Sequence, residues 1–162
     1  RVCDELEHVR SYLMIQSMRF KNKFTYIIDV DEDCNELASL KLMLQPLVEN
    51  AIYHGMEFMD GDGEIIVKVW QEKQCVFFTV QDNGLGMTEQ QVESLFSASI
   101  HVSSKRGSGI GVKNVNERIK LYFGEEYGLT IQSEPDEGTK IMIVLSAIPY
   151  NQILMEGEKQ WK

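Results

Sequence analysis

No apolar run in this sequence approaches the roughly 20 residues that a membrane helix requires, and no signal-peptide pattern opens it. Basic residues are outnumbered: 16 Lys and Arg against 25 Asp and Glu leave a net charge of −9. That balance argues against DNA or RNA as a partner, because phosphate binders usually carry a basic patch. An acidic chain that binds a triphosphate has to do so locally, with backbone N–H groups, one or two cations and a metal. The three cysteines, Cys3, Cys34 and Cys75, show neither CxxC nor zinc spacing, so they read as free thiols of a reducing compartment. There is no internal repeat and no sign of a second domain. What is there is 162 residues, 43% of them hydrophobic, enough for one domain with a full core. The chain opens without Met and inside a helical pattern, so it is expected to be a fragment of something longer, with room for a membrane anchor upstream.

Val2, Leu6, Val9, Leu13 and Phe20 recur at helical spacing. They predict an N-terminal helix over residues 1–22, either a connector from an upstream element or a helix packed on the domain's own side. Phe24 to Val30 alternates as a strand. The acidic stretch from Asp31 to Ser39 reads as a solvated link. From about Pro46, tolerated in a first helical turn, a helix should bury Leu44, Leu47, Val48, Ala51, Ile52 and Gly55, with Asn50 and His54 on another edge. EIIVKVW and CVFFTVQ read as a hairpin. Thr88 suits the N-cap of a short helix, and the Ser- and Gly-rich stretch Ser97 to Gly109 is a long loop that needs a functional reason. Gly111 to Phe123 predicts a helix with Val112, Val115, Ile119 and Tyr122 on its inner face and Gly124 at C′. LTIQS and KIMIVLS close the domain (residues 23–148) as a second hairpin. A polar tail, 149–162, is expected to fray. The order of elements predicts an α/β (α+β) two-layer sandwich.

Three short blocks carry chemistry. Asp82 ends a strand and is followed by Gly84 and Gly86; a carboxylate there can accept a hydrogen bond from an exocyclic amine, and the glycines admit a flat ring close to the backbone. A plain strand-ending turn accounts for Asp-Asn-Gly as well. Asn50 offers an amide oxygen suited to a Mg²⁺ that keeps most of its waters and bridges phosphates, with Glu49 and His54 placed to hold those waters or touch a phosphate. A solvated helix edge is the plainer alternative. Gly107-Ser108-Gly109-Ile110-Gly111 precedes a helix, whose free N–H groups and positive terminus make a phosphate cradle; Lys105 and Arg106 stand just before it. A flexible Gly/Ser loop would look the same. The spacing is GxGxG and lacks Lys-Ser/Thr, so neither a P-loop nor a dinucleotide-binding motif fits.

Taken together, QPLVENAIYHG (Gln45 to Gly55), DNGLGM (Asp82 to Met87), GSGIGVKNVNERI and Gly138-Thr139 resemble the ATP-binding domain shared by sensor histidine kinases, gyrase, Hsp90 and the mismatch-repair MutL proteins, the GHKL superfamily. With the upstream ELEHVRSYLMIQSMRF, the pattern is similar to the LytS/YesM type of sensor histidine kinase from about Asp4 to Leu145. The resemblance implies a Bergerat-type fold, a mixed, mostly antiparallel sheet with helices on one face. It implies ATP and Mg²⁺ as cofactors: Asn50 on the metal with Glu49 and His54 beside it, Asp82 on the adenine amino group, Gly84 and Gly86 beneath the ring, and Thr139 supporting the Asp or a bridging water. Ser97 to Arg106 would be the lid with Phe96 at its base, and Gly107, Gly109 and Gly111 its phosphate-facing hinge. Partners implied are a response regulator, an upstream dimerisation and phosphoacceptor segment, and a second copy in the full-length protein. The location implied is the cytoplasmic side of a membrane-anchored sensor.

Two departures bear on the reaction. Relatives that hydrolyse ATP carry a Glu four residues before the Asn; here that position is Pro46, which cannot activate water and favours phosphoryl transfer. The family's phosphoacceptor helix, with a pattern like HFLYN, does not occur in this sequence. His8 lies in a later part of the connector, and neither His54 nor His101 has the expected surroundings, so the acceptor histidine is expected upstream. Other readings of the same site are a gyrase/Hsp90-type ATPase, an anti-sigma serine kinase, and a degenerate module that binds nucleotide without catalysis.

Overall fold

The computed structural model describes residues 1–21, 23–56, 59–97 and 110–153. In chain order these form α1 (Val2–Arg19), β1 (Phe24–Val30), α2 (Gln45–Asn50) with a π-helical continuation (Ala51–Met56), β2 (Gly63–Glu72), β3 (Cys75–Asp82), α3 (Glu89–Ser97), α4 (Ile110–Phe123), β4 (Gly128–Glu134) and β5 (Gly138–Ser146). The strands make one sheet in the order β1-β2-β3-β5-β4. β1 and β2 run parallel, α2 and its continuation supplying the crossover that a parallel pair needs, and the other pairs are antiparallel. This is the mixed, mostly antiparallel sheet that was expected.

Alternation along the strands decides which face is covered. Ile65, Val67 and Val69 of β2, Val76, Phe78 and Val80 of β3, and Ile141, Ile143 and Leu145 of β5 are buried together with the inner faces of α1, α2 and α4. The register pairs Val67 with Val80 and Val80 with Ile141, so these side chains form one continuous floor under the helices. The opposite face is less covered, with Thr79 buried but Ile27, Lys68 and Gln81 exposed; Trp70 and Phe77, paired across strands, stack there with ring centroids 5.2 Å apart.

α1 contributes Val2, Leu6, Val9 and Leu13 to this same core. Its first turn is tied down as well, since Leu37 and Asn35 carbonyls accept from Val2 and Cys3 N–H at 2.9 and 3.2 Å. Three expectations are corrected. The acidic stretch after β1 is no solvated link: Cys34, Leu37 and Ala38 are buried, because apolar side chains hidden among the acids turn inward through a short 3₁₀ turn (Glu32–Cys34). Tyr122 is 70% exposed; the inner stripe of α4 runs through Val112, Val115 and Ile119 to Phe123, which packs against the core, and Tyr122 stands one position off it. The start of the C-terminal tail is docked, with Pro149 bridged to Leu37 and Tyr150 N–H donating to Glu36 O at 2.9 Å.

Candidate functional site

Asp82 is the last residue of β3, and parity puts its side chain on the helix-covered face. It is 5% exposed. Its Oδ1 accepts from Gly84 N–H at 2.9 Å. Burial pushes the carboxyl up to about 6, against backbone hydrogen bonds from Gly84 and Thr139 that pull the other way. A carboxylate has about four acceptor positions, so two backbone donors leave capacity for a further donor.

The glycines around it are required by close backbone contact. A Cβ on Gly84 would overlap the Gly55 backbone, and one on Gly55 would stand 2.7 Å from Asp82 Oδ1. The turn after β3 is therefore seated directly on the π-helical continuation of α2. Gly86 has φ +63, and a Cβ there would run into the Glu134 carbonyl; on Gly138, φ +96, it would run into the Asp82 carbonyl. In this structure Gly84 and Gly86 thus face protein backbone. Substitution at any of the four would push the loop off its supports.

The Asp82–Met87 loop is clamped on both sides. Asn83 Oδ1 accepts from Glu64 N–H at 2.7 Å while its Nδ2 donates to Asp62 O at 3.0 Å. Asp136 N–H donates to Leu85 O at 2.7 Å. Ser133 Oγ accepts from Met87 N–H at 2.8 Å, donates to Gly138 O at 2.9 Å, and shares a 2.8 Å bond with Thr139 Oγ1. Thr139, 6% exposed and paired with Asp82 across the strands, supports the carboxylate through its backbone, while its hydroxyl is tied to Ser133.

Asn50, 7% exposed, closes α2 immediately before the π-helical residues that carry Gly55. His54 lies on the exposed side of that continuation, so the edge expected to hold both residues is split. The change from α to π turns at Ala51 alters the angular step between them. Glu49 Oε1 accepts from Gln45 Nε2, one turn earlier in α2, at 2.8 Å, and Tyr12 of α1 stands near enough that, after burial, the Glu49 charge raises its hydroxyl pKa. Gly111, in the first turn of α4, packs on Pro46, where a Cβ would come within 2.9 Å of the proline Cβ. This contact brings the start of α4 to the start of α2. Gly107, Ser108, Gly109, Lys105, Arg106, His101 and most of the expected lid lie outside the described residues; for Ile110 only its place in the helix is described. Phe96 packs against the core, and Thr88 caps α3 reciprocally with Gln91, its N–H donating to Gln91 Oε1 at 2.8 Å.

Sequence reasoning brought Asp82, Gly84, Gly86 and Thr139 together correctly as neighbours. It passed over Ser133, Asn83 and the seat made by Gly55. Ser133 carries no local signal, being one polar residue in an alternating strand; only the register of β4 on β5 brings it to the loop.

Residues 35–149 match the family model described as histidine kinase-, DNA gyrase B-, and HSP90-like ATPase. Among curated proteins the chain is 39% identical over 142 residues to the sensor histidine kinase YesM of Bacillus subtilis, covering 88% of this chain and 23% of that protein. It is 38% identical to the sensor protein LytS of Bacillus anthracis, covering 87% of this chain and 24% of that one. It thus spans about a quarter of the length of these relatives. Among solved structures, a nucleotide-free catalytic domain of histidine kinase ThkA superposes with a TM-score of 0.65 at 21% identity, over 90% of this chain and 96% of that one. The mycobacterial sensor histidine kinase MprB gives 0.60 at 19%, over 89% and 95%. These two likenesses speak for the fold.

Proposed function

The chain belongs to the histidine kinase-, DNA gyrase B- and HSP90-like ATPase family, and from that premise we propose that it is the ATP-binding catalytic domain of a sensor histidine kinase of the LytS/YesM type. The observation that carries the proposal is Asp82: a buried carboxylate at the end of a central strand, fixed by backbone donors and holding spare acceptor capacity. Adenine offers an exocyclic N–H₂ to such a group. Guanine offers a carbonyl oxygen at the corresponding position, which an ionised Asp82 repels.

Asn50 is the residue that would hold Mg²⁺. Among the described residues no cluster of three or more His, Cys, Asp or Glu side chains is available to a metal, so the ion's other ligands would be phosphate oxygens and water, as Mg²⁺ prefers. Bound there, the metal supplies charge neutralisation on the phosphates. Lys105, Arg106 and the Gly107-Ser108-Gly109-Ile110-Gly111 segment are proposed to hold the phosphates at the start of α4; the contact of Gly111 with Pro46, one helical turn before Asn50, supports that placement. Glu49 and His54 are proposed to act from the same helix, Glu49 from its engagement with α1 and His54 from the exposed side.

Phosphoryl transfer through a loose transition state asks mainly for positioning and charge neutralisation. The γ-phosphoryl group would pass from ATP to an imidazole nitrogen of a histidine outside this chain, releasing ADP, and then to an aspartate of a response regulator. The upstream phosphoacceptor segment, a homodimer and a membrane-anchored sensor with this part on the cytoplasmic side belong to the same proposal. Pro46, packed against Gly111, offers no carboxylate to activate water, which favours transfer over hydrolysis.

Calorimetry with Mg²⁺ and either ATP or GTP tests the site. ATP should bind in the micromolar-to-millimolar range, GTP at least about tenfold more weakly, and Asp82→Asn should weaken ATP by at least about tenfold, roughly 1.4 kcal/mol. Equal binding of the two nucleotides, or an unaffected Asp82→Asn variant, would sink the adenine assignment. Adding the upstream segment with radiolabelled ATP then tests transfer: label should appear as acid-labile, base-stable phosphate on that segment.

A further inference from the structure

Three polar side chains of α1 that lie outside the nucleotide site are all committed to the element bearing Asn50. Glu5, His8 and Tyr12 follow one another at three and four residues, and so share one face of the helix. Glu5 is 4% exposed, and its two oxygens accept from Leu42 N–H at 2.8 Å and Leu44 N–H at 2.9 Å, at the entry to α2. His8 Nε2 lies 2.8 Å from Gln45 Oε1, and Gln45 Nε2 donates to Glu49 Oε1 at 2.8 Å. Tyr12 stands beside Glu49 and Tyr53, and burial first and then these two neighbours push its hydroxyl pKa up; the Tyr53 hydroxyl accepts from Arg19 Nη1 at 3.3 Å.

The result is a continuous polar seam from the start of α2 to its π-helical continuation. An apolar seam would hold two helices together but would let them slide or rotate at low cost. Hydrogen bonds with fixed partners specify one register; here Glu5 is the buried anchor, Tyr12, Gln45 and Glu49 are half-buried, and His8 closes the seam from the exposed side. Each residue of a helix advances about 1.5 Å and about 100°. Holding Glu49 and Gln45 therefore fixes both the height and the azimuth of Asn50, the next residue after Glu49. Gln16, further along α1 and 8% exposed, keeps its Oε1 buried with no hydrogen-bond partner among the described residues.

We propose that Glu5, His8 and Tyr12 are positioning residues for the metal-linked part of nucleotide binding, acting through Gln45 and Glu49 to aim the Asn50 carboxamide. The proposal rests on the assignment of Asn50 to Mg²⁺. None of the three touches nucleotide; they decide where the metal ligand stands.

The test is ATP affinity measured by calorimetry with Mg²⁺ and again with EDTA, the ratio giving the metal-linked gain. The variants are Tyr12→Phe, which removes only the hydroxyl, His8→Leu, the double variant, and His8→Gln, which keeps an N–H donor for Gln45. Asn50→Ala and Asp82→Asn are measured beside them. The double variant should lose at least about threefold of the metal-linked gain while its affinity in EDTA stays within about twofold, and His8→Gln should restore most of the loss due to His8→Leu. Equal weakening with and without Mg²⁺ would make the seam merely structural and overturn the proposal. So would an unchanged gain in the double variant while Asn50→Ala abolishes it. If Asn50→Ala itself leaves the gain intact, the assignment of Asn50 falls and the proposal falls with it, whereas Asp82→Asn still reports on the adenine end independently.

Discussion

Asp82→Asn should make the nucleotide-free domain more stable while it weakens ATP. The carboxyl is raised from 3.8 to about 6 chiefly by burial, and that distance corresponds to about 3 kcal/mol of penalty on the ionised form at neutral pH. Asn carries no charge to desolvate. Its Oδ1 can keep the Gly84 N–H, but its amide nitrogen has to stand near a backbone donor from Thr139, which gives back about 1 kcal/mol. The net expectation is about 2 kcal/mol of stabilisation at pH 7.5, or about 4–8 °C in Tm for a domain of this size. The pH dependence is the sharper check. Because the folded-state value lies above the unfolded one, the native state binds more protons between pH 4 and 6, and wild-type stability gains from this group as pH falls through about 6. The advantage of Asn is therefore largest above pH 7 and should shrink by about 1.4 kcal/mol on going to pH 5. Urea denaturation of both proteins at the two pH values measures the gap directly, with other carboxylates cancelling in the difference. A gap that stays constant or widens toward pH 5, or an Asn variant that is less stable at pH 7.5, would refute the picture of a strained buried carboxylate.

Gly84→Ala should destabilise the fold by more than about 2 kcal/mol, because its Cβ meets the Gly55 backbone, which cannot yield as a side chain can; thermal melts check this. Ser133→Ala removes the acceptor of Met87 N–H and should cost about 1–3 kcal/mol, with weaker ATP binding as the Asp82–Met87 loop loosens, measurable by urea titration and calorimetry together. Ile119→Ala, at a fully buried position, should cost about 2–5 kcal/mol. Tyr122→Ser, at a position 70% exposed on the same helix, should stay within about 0.5 kcal/mol, and equal losses in the two variants would contradict the orientation of α4.

Local pattern carried most of the fold and part of the site. Strand alternation, helical spacing and turn residues each act over a few positions, so Phe24–Val30, the hairpin of β2 and β3, the cap at Thr88 and the end of α4 before Gly124 could be read from the chain itself. Asp82 could be read too, since a carboxylate followed by Gly-x-Gly at a strand end is a local arrangement. Long-range register supplied the rest. Whether Cys34 and Leu37 turn inward depends on α1 and the docked Pro149, which no window around them contains. Gly55 becomes the seat of the Asp82 turn only because the π-helical continuation of α2 passes over the end of β3. The heptad-like run Glu5, His8, Tyr12 is visible in ELEHVRSY, yet the hydrogen-bond partners of Glu5 and His8 at Leu42, Leu44 and Gln45 lie more than thirty residues away. Hydrogen bonds are directional and short-ranged in space but indifferent to separation along the chain, so the residue types could be read in sequence order while their pairing was decided by the packing of α1 and α2 over the sheet.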